Sequence, residues 1–143
     1  MVTLAIDFGT KLGYAYGFEP GESGTRTFSS NRTERLVQFQ EFLREMDSEA
    51  GPQRVIHERP TGRGNTIRCL AAYATLVELW GHACGLEVVE VSSTAVKKWA
   101  TGNGRAEKSD MLAEARKRWP LVDIVNHDQA DAMLMLARAT EED

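Results

Sequence analysis

Several features that would narrow the function of this chain are scarce or missing. Its 143 residues include only two cysteines, Cys69 and Cys84, and no CxxC pair, which argues against a disulfide framework or a zinc site. No apolar run approaches the roughly 20 residues of a membrane span, no targeting segment precedes the first strand pattern, and there is no repeat or low-complexity stretch. We therefore expect one cytoplasmic domain over residues 1–143, with no membrane partner.

A strong charge of one sign is also missing. The net charge is −4, which does not by itself indicate a nucleic-acid-binding protein. The distribution is uneven, however, because residues 59–118 hold 10 Lys and Arg against 6 Asp and Glu, whereas the remainder holds 7 against 15. A basic middle of this kind is typical of a polyanion-binding surface and equally of a mixed solvated surface, so charge alone leaves both interpretations open.

The strongest single signal is a carboxylate at the end of an apolar strand. Apolar residues alternate from Val2 to Ile6 and run directly into Asp7. A carboxylate this close to a core is costly unless it is protonated, hydrogen-bonded or bound to a cation. Gly9 and Gly13 explain how the chain turns back into a second strand, but they do not explain the acid. Asp7 is therefore a candidate metal ligand.

The remaining periodicities predict alternating strands and helices. The predicted strands after the first cover residues 12–18, 25–28, 54–58 and 86–91, and the predicted helices cover residues 31–50, 66–84, 93–100, 106–119 and 126–139. A Pro20–Gly21 turn is expected between the second and third strands, and residues 141–143 are expected to fray. This order predicts an α/β protein with a mixed five-stranded sheet and helices on both faces, as in the ribonuclease H-like fold.

The predicted helix at residues 66–84 is apolar on nearly every face. Such a helix is either central in the core or shared with a partner chain. We expect it to contact the core on one side and a second copy of the chain on the other, which predicts a homodimer.

Four acids fall on elements that should otherwise be apolar. They are Asp7 on the first strand, Glu58 at the end of the fourth, and Asp128 and Asp131 at the start of the last helix. Each alone has an ordinary explanation: an exposed strand end for Glu58, for instance, or the helix dipole for Asp128. The i, i+3 spacing of the last two places them on one helical face. Oxygen ligands of this kind suit Mg²⁺ or Mn²⁺, and two such ions can promote phosphodiester hydrolysis.

At this point the residues resemble a known family, the RuvC-type Holliday junction resolvases of the ribonuclease H-like superfamily. Besides Asp7 and Glu58, the resemblance is carried by GNGRAEKSDM at residues 102–111 and DQADA at residues 128–132, and it spans essentially the whole chain. It implies a homodimer that cuts four-way DNA junctions symmetrically. It also implies that Asp7, Glu58, Asp128 and Asp131 are catalytic and hold Mg²⁺ or Mn²⁺. An intracellular location, nucleoid-associated or viral in a host cytoplasm, is expected.

The same resemblance implies that Lys108, with Arg105 nearby, contacts phosphate. The residues themselves agree with this, since Gly102 and Gly104 let the backbone approach a phosphate. A helix opening at residues 106–109 would also present its N-terminus to an anion.

The chain departs from the family in the segment after Glu58. An aromatic residue often follows the second acid closely in that family, whereas here no aromatic residue occurs before Tyr73. Either Arg59 and Arg63 contact the DNA by charge instead, or the junction is opened less. Lys11 is expected to reach a phosphate. The absent aromatic leaves open the strictness of junction selectivity.

Other functions remain open on the sequence. A broader ribonuclease H-like nuclease acting on branched, flapped or RNA-containing duplexes would use the same acids. A non-catalytic DNA-binding module would not need them. The run DFGT at residues 7–10 is similar to the phosphate loop of actin-like ATPases and sugar kinases, but those proteins require a second domain and an adenosine-binding segment, so we expect no nucleotide cofactor.

Overall fold

The computed structural model describes residues 1–18 and 21–143. The strands are β1 (Thr3–Asp7), β2 (Lys11–Tyr16), β3 (Glu22–Thr27), β4 (Arg54–Glu58) and β5 (Glu87–Val91). The helices are α1 (Arg32–Glu49), α2 (Asn65–Cys84), α3 (Ser93–Thr101), α4 (Lys108–Arg118) and α5 (His127–Glu142). None of the helices in the described ranges is sufficiently long and apolar to cross a membrane.

The five strands form one mixed sheet in the order β3-β2-β1-β4-β5. The first three strands pair antiparallel, while β4 pairs parallel with both β1 and β5. The predicted fold class is therefore confirmed. Ile6 lies beside His57 in the parallel β1–β4 ladder, so the next residues along, Asp7 and Glu58, emerge at the same edge of the sheet.

The predicted bounds of β2 and β3 are wrong by a few residues. Strand β2 ends at Tyr16, and Phe18 lies beyond it with 83% of its surface exposed. Strand β3 begins at Glu22, which pairs with Tyr16. Its start was missed because β3 is an edge strand of half-buried polar residues without apolar alternation. Glu19 and Pro20 of the predicted turn lie outside the described residues.

Alternating side chains of β1 enter two separate cores, one on each face of the sheet. On what we call the aromatic face, Leu4 and Ile6 pack with Phe39, Phe42 and Tyr73 from helices α1 and α2. On the opposite face, which we call the α5 face, small sheet residues such as Ala5 and Ala15 pack under α5. The small side chains allow this helix to lie close to the sheet.

Helix α5 continues to Glu142, and the expectation that residues 141–143 fray is wrong. The Arg54 guanidinium donates to both carboxylate oxygens of Asp143, at 2.9 and 2.6 Å. Its Nε also donates to Thr3 Oγ1 at 3.0 Å. This bidentate pair ties the end of α5 to the beginnings of β1 and β4.

Replacing Arg54 tests how much this tie stabilises the protein. We expect Arg54→Met to lower the melting temperature by several degrees, because the mostly buried guanidinium bonds two parts of the chain that are far apart in sequence. Arg138→Met is the matched control, since Arg138 forms an ion pair with Glu142 one turn along the same helix. Equal thermal shifts of the two variants would contradict the expectation.

Helix α2 has one buried side and one exposed side. Tyr73, Ala74 and Val77 pack into the core, whereas Ile67 is 37% and Leu79 is 63% exposed. The expected core contact is present, and the expected contact with a second copy stays a prediction for the exposed side.

Candidate active site

Three elements bring the predicted acids to one edge of the sheet. Asp7 ends β1, Glu58 ends β4, and Asp128 and Asp131 occupy the first turns of α5. Helix α5 packs across β1 and β2, so its N-terminal end lies over the carboxyl end of β1. The four side chains are close enough to influence one another's ionisation.

Asp7 lies at the centre of this carboxylate cluster, by which we mean Asp7, Glu58, Asp128 and Asp131. Burial is the main reason that its pKa is raised well above the usual value of an aspartate. The charges of Asp131, Glu58 and Asp128 raise the pKa further, in that order, and so does a side-chain hydrogen bond with Asp128. Without a compensating positive charge, the site therefore favours a protonated Asp7.

Asp131 and Glu58 are perturbed in the same direction. Burial, together with the charges of Glu58 and Asp128, raises the pKa of Asp131 from 3.8 to about 7. Burial also raises the pKa of Glu58. The Oδ1 atom of Asp131 is buried and has no hydrogen-bond partner among the described residues. A buried carboxylate oxygen without a partner is costly, so this atom calls for a ligand.

The donor set fits a hard divalent cation. Carboxylate oxygens are the ligands that Mg²⁺ and Mn²⁺ prefer, and a cation would compensate both the mutual repulsion and the orphaned Asp131 oxygen. In the present arrangement, however, no group of three His, Cys, Asp or Glu side chains among residues 1–18 and 21–143 could hold a metal ion. Repulsion between like charges opposes a tighter arrangement of the acids alone.

Comparison with known proteins identifies solved structures that have the same fold as this chain. No protein-family model matches the chain, and no curated protein matches its sequence. The structure of RuvC from Thermus thermophilus matches with a TM-score of 0.75 and 21% identity, covering 98% of this chain and 97% of that one. RuvC of T. thermophilus in complex with a Holliday junction substrate gives a TM-score of 0.78, again at 21% identity, with 98% and 96% covered. This chain has the RuvC fold.

The RuvC fold is also found in a more distant match. The yeast mitochondrial Holliday junction resolvase Ydc2 gives a TM-score of 0.63 at 11% identity, covering 93% of this chain and 75% of that one. At these levels of identity the similarity establishes the fold. The chemistry of the site must be argued from this chain's own residues.

Lys97 is a site residue that the sequence did not reveal. It lies on α3, half-buried, and its charge lowers the pKa values of both Glu58 and Asp131 against the larger effect of burial. Helix α3 packs against α5, which explains how Lys97 approaches the cluster. In the sequence it is one of two adjacent lysines, and nothing in the local pattern distinguishes it from Lys98.

His127 contacts the cluster from its own helix. Its Nε2 atom lies 3.3 Å from Asp128 Oδ1, and the side chain is partly buried. Contact with a candidate metal ligand places His127 where it orients the Asp128 carboxylate.

Arg59 lies beside the carboxylate cluster but is not free of other contacts. Its Nε is 4.0 Å from a carboxylate oxygen of Glu90, and both side chains are well exposed. Together with Asp7, Glu58 and neighbouring residues, it lines a small cavity of about 100 Å³. A DNA contact by Arg59 therefore competes with a weak surface ion pair.

The other predicted DNA contacts are exposed. Lys108 is the first residue of α4, and its charge lowers the pKa of Asp131, so it is near the cluster. Arg105 lies in the turn before α4, and its backbone N–H donates to Asn103 Oδ1 at 2.9 Å. Arg63 lies in the loop before α2, and Lys11 begins β2. Their roles in binding DNA stay predictions.

The start of α4 differs from the expected anion site. The helix begins at Lys108 rather than at residue 106, and Glu107 and Asp110 form a reciprocal capping box. In it, the Glu107 backbone N–H donates to Asp110 Oδ2 at 2.9 Å. The chain's own carboxylates therefore satisfy two of the N–H groups at this helix N-terminus, those of Glu107 and Asp110. The helix begins two residues later than expected, the Lys108 and Arg105 side chains are exposed, and a phosphate contact at this N-terminus stays a prediction.

Proposed function

We propose that this chain is a metal-dependent endonuclease that cuts branched DNA, with four-way junctions as its preferred substrate. The observation that carries the proposal is the cluster of four carboxylates from three elements, in which a buried Asp131 oxygen has no hydrogen-bond partner within residues 1–18 and 21–143. The fold adds support, because one structure with this fold is RuvC in complex with a Holliday junction substrate.

In this proposal Asp7, Glu58, Asp128 and Asp131 hold Mg²⁺ or Mn²⁺, two ions per site. Such ions would supply charge neutralisation at the scissile phosphate and would make a water molecule more nucleophilic. Because the acids have raised pKa values, they would release protons if a cation occupied the site. Lys97 and Lys108 add positive charge on the α3 and α4 side, where a DNA phosphate would lie. Hydrolysis would leave a 5′-phosphate and a 3′-hydroxyl.

A homodimer is part of the proposal, because a four-way junction offers two symmetric strands to cut. The exposed side of α2, with Ile67 and Leu79, is the surface we assign to the second copy. Pairing there would present two carboxylate clusters to one DNA molecule.

Lys97 gives a test of the electrostatics at the site. We expect Lys97→Met to lower kcat for junction cleavage about 10- to 100-fold, because it removes a positive charge that stabilises ionised Glu58 and Asp131. Lys98→Met is the matched control, since Lys98 is exposed and is the adjacent residue. Single-turnover cleavage rates distinguish the two variants, and equal rates would contradict the role given to Lys97.

The proposal is tested by cleavage of a labelled substrate panel at low salt, with Mg²⁺ and then with Mn²⁺. The panel contains a four-way junction, a flap, a matched linear duplex and an RNA–DNA hybrid of the same sequence. Paired symmetric nicks in the junction alone would support the resolvase. No cleavage of any substrate, in a protein that binds junction DNA, would overturn it in favour of a binding module.

A broader nuclease is the second candidate, and one observation favours it. The segment between Glu58 and α2 has no aromatic side chain to wedge into a junction, and Arg59 at its start contacts Glu90. Cleavage of flaps or hybrids at rates similar to the junction would establish this alternative. The same carboxylate cluster would then act on a wider set of duplexes.

A further inference from the structure

The first turn of α5 rests directly on the backbone of β2. A Cβ atom added to Gly13 would overlap the carbonyl group of Asp128 and would lie 3.0 Å from the backbone nitrogen of Gln129. Gly13 does not have a positive φ, so its backbone conformation is open to other residues. Glycine is needed here because no side chain fits between the strand and the helix.

Gly13 is also the residue that pairs with Asp7 in the β1–β2 ladder. One backbone position therefore contacts the strand that carries Asp7 and the helix that carries Asp128 and Asp131. This contact therefore sets the distance between Asp7 on β1 and the two acids on α5, Asp128 and Asp131.

The contact differs from an ordinary close packing of glycine. At Gly81 an added Cβ would come within 2.5 Å of a terminal methyl group of Val88, and a side chain of this kind relieves overlap by a small movement. At Gly13 the overlapping atoms belong to the backbone of α5, so relief requires the helix itself to move.

Hydrogen bonds of the Gln129 side chain also fix the first turn of α5. Its side chain is only 4% exposed. Its Oε1 accepts from the Val125 N–H at 3.0 Å, while its Nε2 donates to Ser23 Oγ at 3.1 Å and to the Asp123 carbonyl at 3.3 Å. The amide thus joins α5 to β3 and to the preceding loop, and its polar atoms are satisfied.

We infer that Gly13 and Gln129 are positioning residues that seat the first turn of α5 so that Asp128 and Asp131 face Asp7. What the seated carboxylates then do rests on the proposed function. The seating itself follows from the contacts of Gly13 and the hydrogen bonds of Gln129. A displacement of about 1 Å at a reacting centre is sufficient to lower a rate about 100-fold.

The test uses Gly13→Ala and Gln129→Leu in the full chain. Gly24→Ala is the matched glycine control, because the atoms nearest to a Cβ there belong to the ring end of the Tyr14 side chain. Gln38→Leu is the matched glutamine control, since Gln38 lies on α1 and accepts from the Ser29 N–H at the surface. Thermal melts establish that each variant folds, and Gln129→Leu keeps the test valid where Gly13→Ala does not fold.

Three quantities are measured for each variant. Calorimetric titration with Mn²⁺ alone should show binding at least about 10-fold weaker than in the wild type. Junction cleavage should show kcat lowered about 100-fold with KM nearly unchanged. Amide hydrogen exchange without metal should be faster in the first turn of α5 and unchanged in β4. The controls should match the wild type in all three.

The outcomes distinguish the positioning role of Gly13 and Gln129, which we call the seating of α5, from the proposed function. Wild-type Mn²⁺ affinity and wild-type exchange of α5 in both folded variants would overturn the seating, even where the wild type cuts junctions. A wild-type protein that cuts nothing would overturn the proposed function, whereas faster α5 exchange in the variants would still support the seating. A fall in cleavage that appears wholly in KM would also count against a positioning role.

Discussion

Asp7→Asn should abolish cleavage of a four-way junction while leaving junction binding largely intact. Asp7 lies at the centre of the carboxylate cluster and interacts with each of the other three acids, so its loss removes the shared ligand. We expect the cleavage rate to fall by about 1000-fold or more, which corresponds to about 4 kcal/mol of lost transition-state stabilisation. Binding should survive, because charge contacts with the DNA backbone do not involve this carboxylate.

The measurement pairs single-turnover cleavage with an electrophoretic binding assay on the same labelled junction. Asp47→Asn is the matched control, since Asp47 lies exposed on α1, away from the cluster. Either retained cleavage by Asp7→Asn or a parallel loss of junction binding would contradict the mechanism. Retained cleavage would show that Asp7 is not a required metal ligand. A loss of binding would show that Asp7 is needed for the folded structure of the DNA-binding surface.

Asp131→Asn should make the metal-free protein more stable at neutral and alkaline pH. The pKa of Asp131 is about 7 in the folded chain, above the 3.8 of an ordinary aspartate. Between these values the folded state holds a proton that the unfolded state has released, so folding is progressively disfavoured as the pH rises. Below about pH 4 both states are protonated and the penalty vanishes. The substitution removes this penalty, so the melting temperature at pH 8 should rise by several degrees.

Thermal melts at pH 4 and pH 8, with a chelator and then with excess Mg²⁺, test this expectation. The gain from Asp131→Asn should be large at pH 8 with chelator and small at pH 4. Excess Mg²⁺ should stabilise the wild type more than the variant, because only the wild type holds the full ligand set. A variant less stable than the wild type at pH 8 with chelator would contradict this expectation.

Much of the fold was predictable because local rules and long-range packing agree. The apolar alternation that ends at Asp7 gave the central strand, and the apolar stripe of residues 126–139 gave the helix that crosses it. Asp131 stood out because it is an acid among alanine, methionine and leucine residues, on a helix that is mostly buried. A buried acid in such a pattern is unfavourable when it is ionised. In the structure, burial and the charges of Glu58 and Asp128 raise the pKa of Asp131.

Other features depend on partners that are remote in sequence. The tie between Arg54 and Asp143 requires the end of α5 to lie beside β4, which no local pattern indicates. The approach of Lys97 to Glu58 depends on how α3 packs against α5. Gly13 appeared to serve the turn after β1, whereas its essential contact is with a helix more than a hundred residues later. Tertiary packing decides each of these.

The position of α5 in the chain has a consequence for how the molecule folds. All five strands precede this helix, yet it covers the middle of one sheet face. Until it docks, Ala5, Ala15 and Ile56 lack their cover, and a chain emerging from the ribosome exposes an apolar sheet surface. Docking of α5 also brings Asp128 and Asp131 next to Asp7 and Glu58. The four mutually repelling acids therefore meet only when α5 packs on the sheet. We expect folding to be slowed by this late, long-range step, and a chain shortened before α5 to aggregate rather than to persist as an inactive monomer.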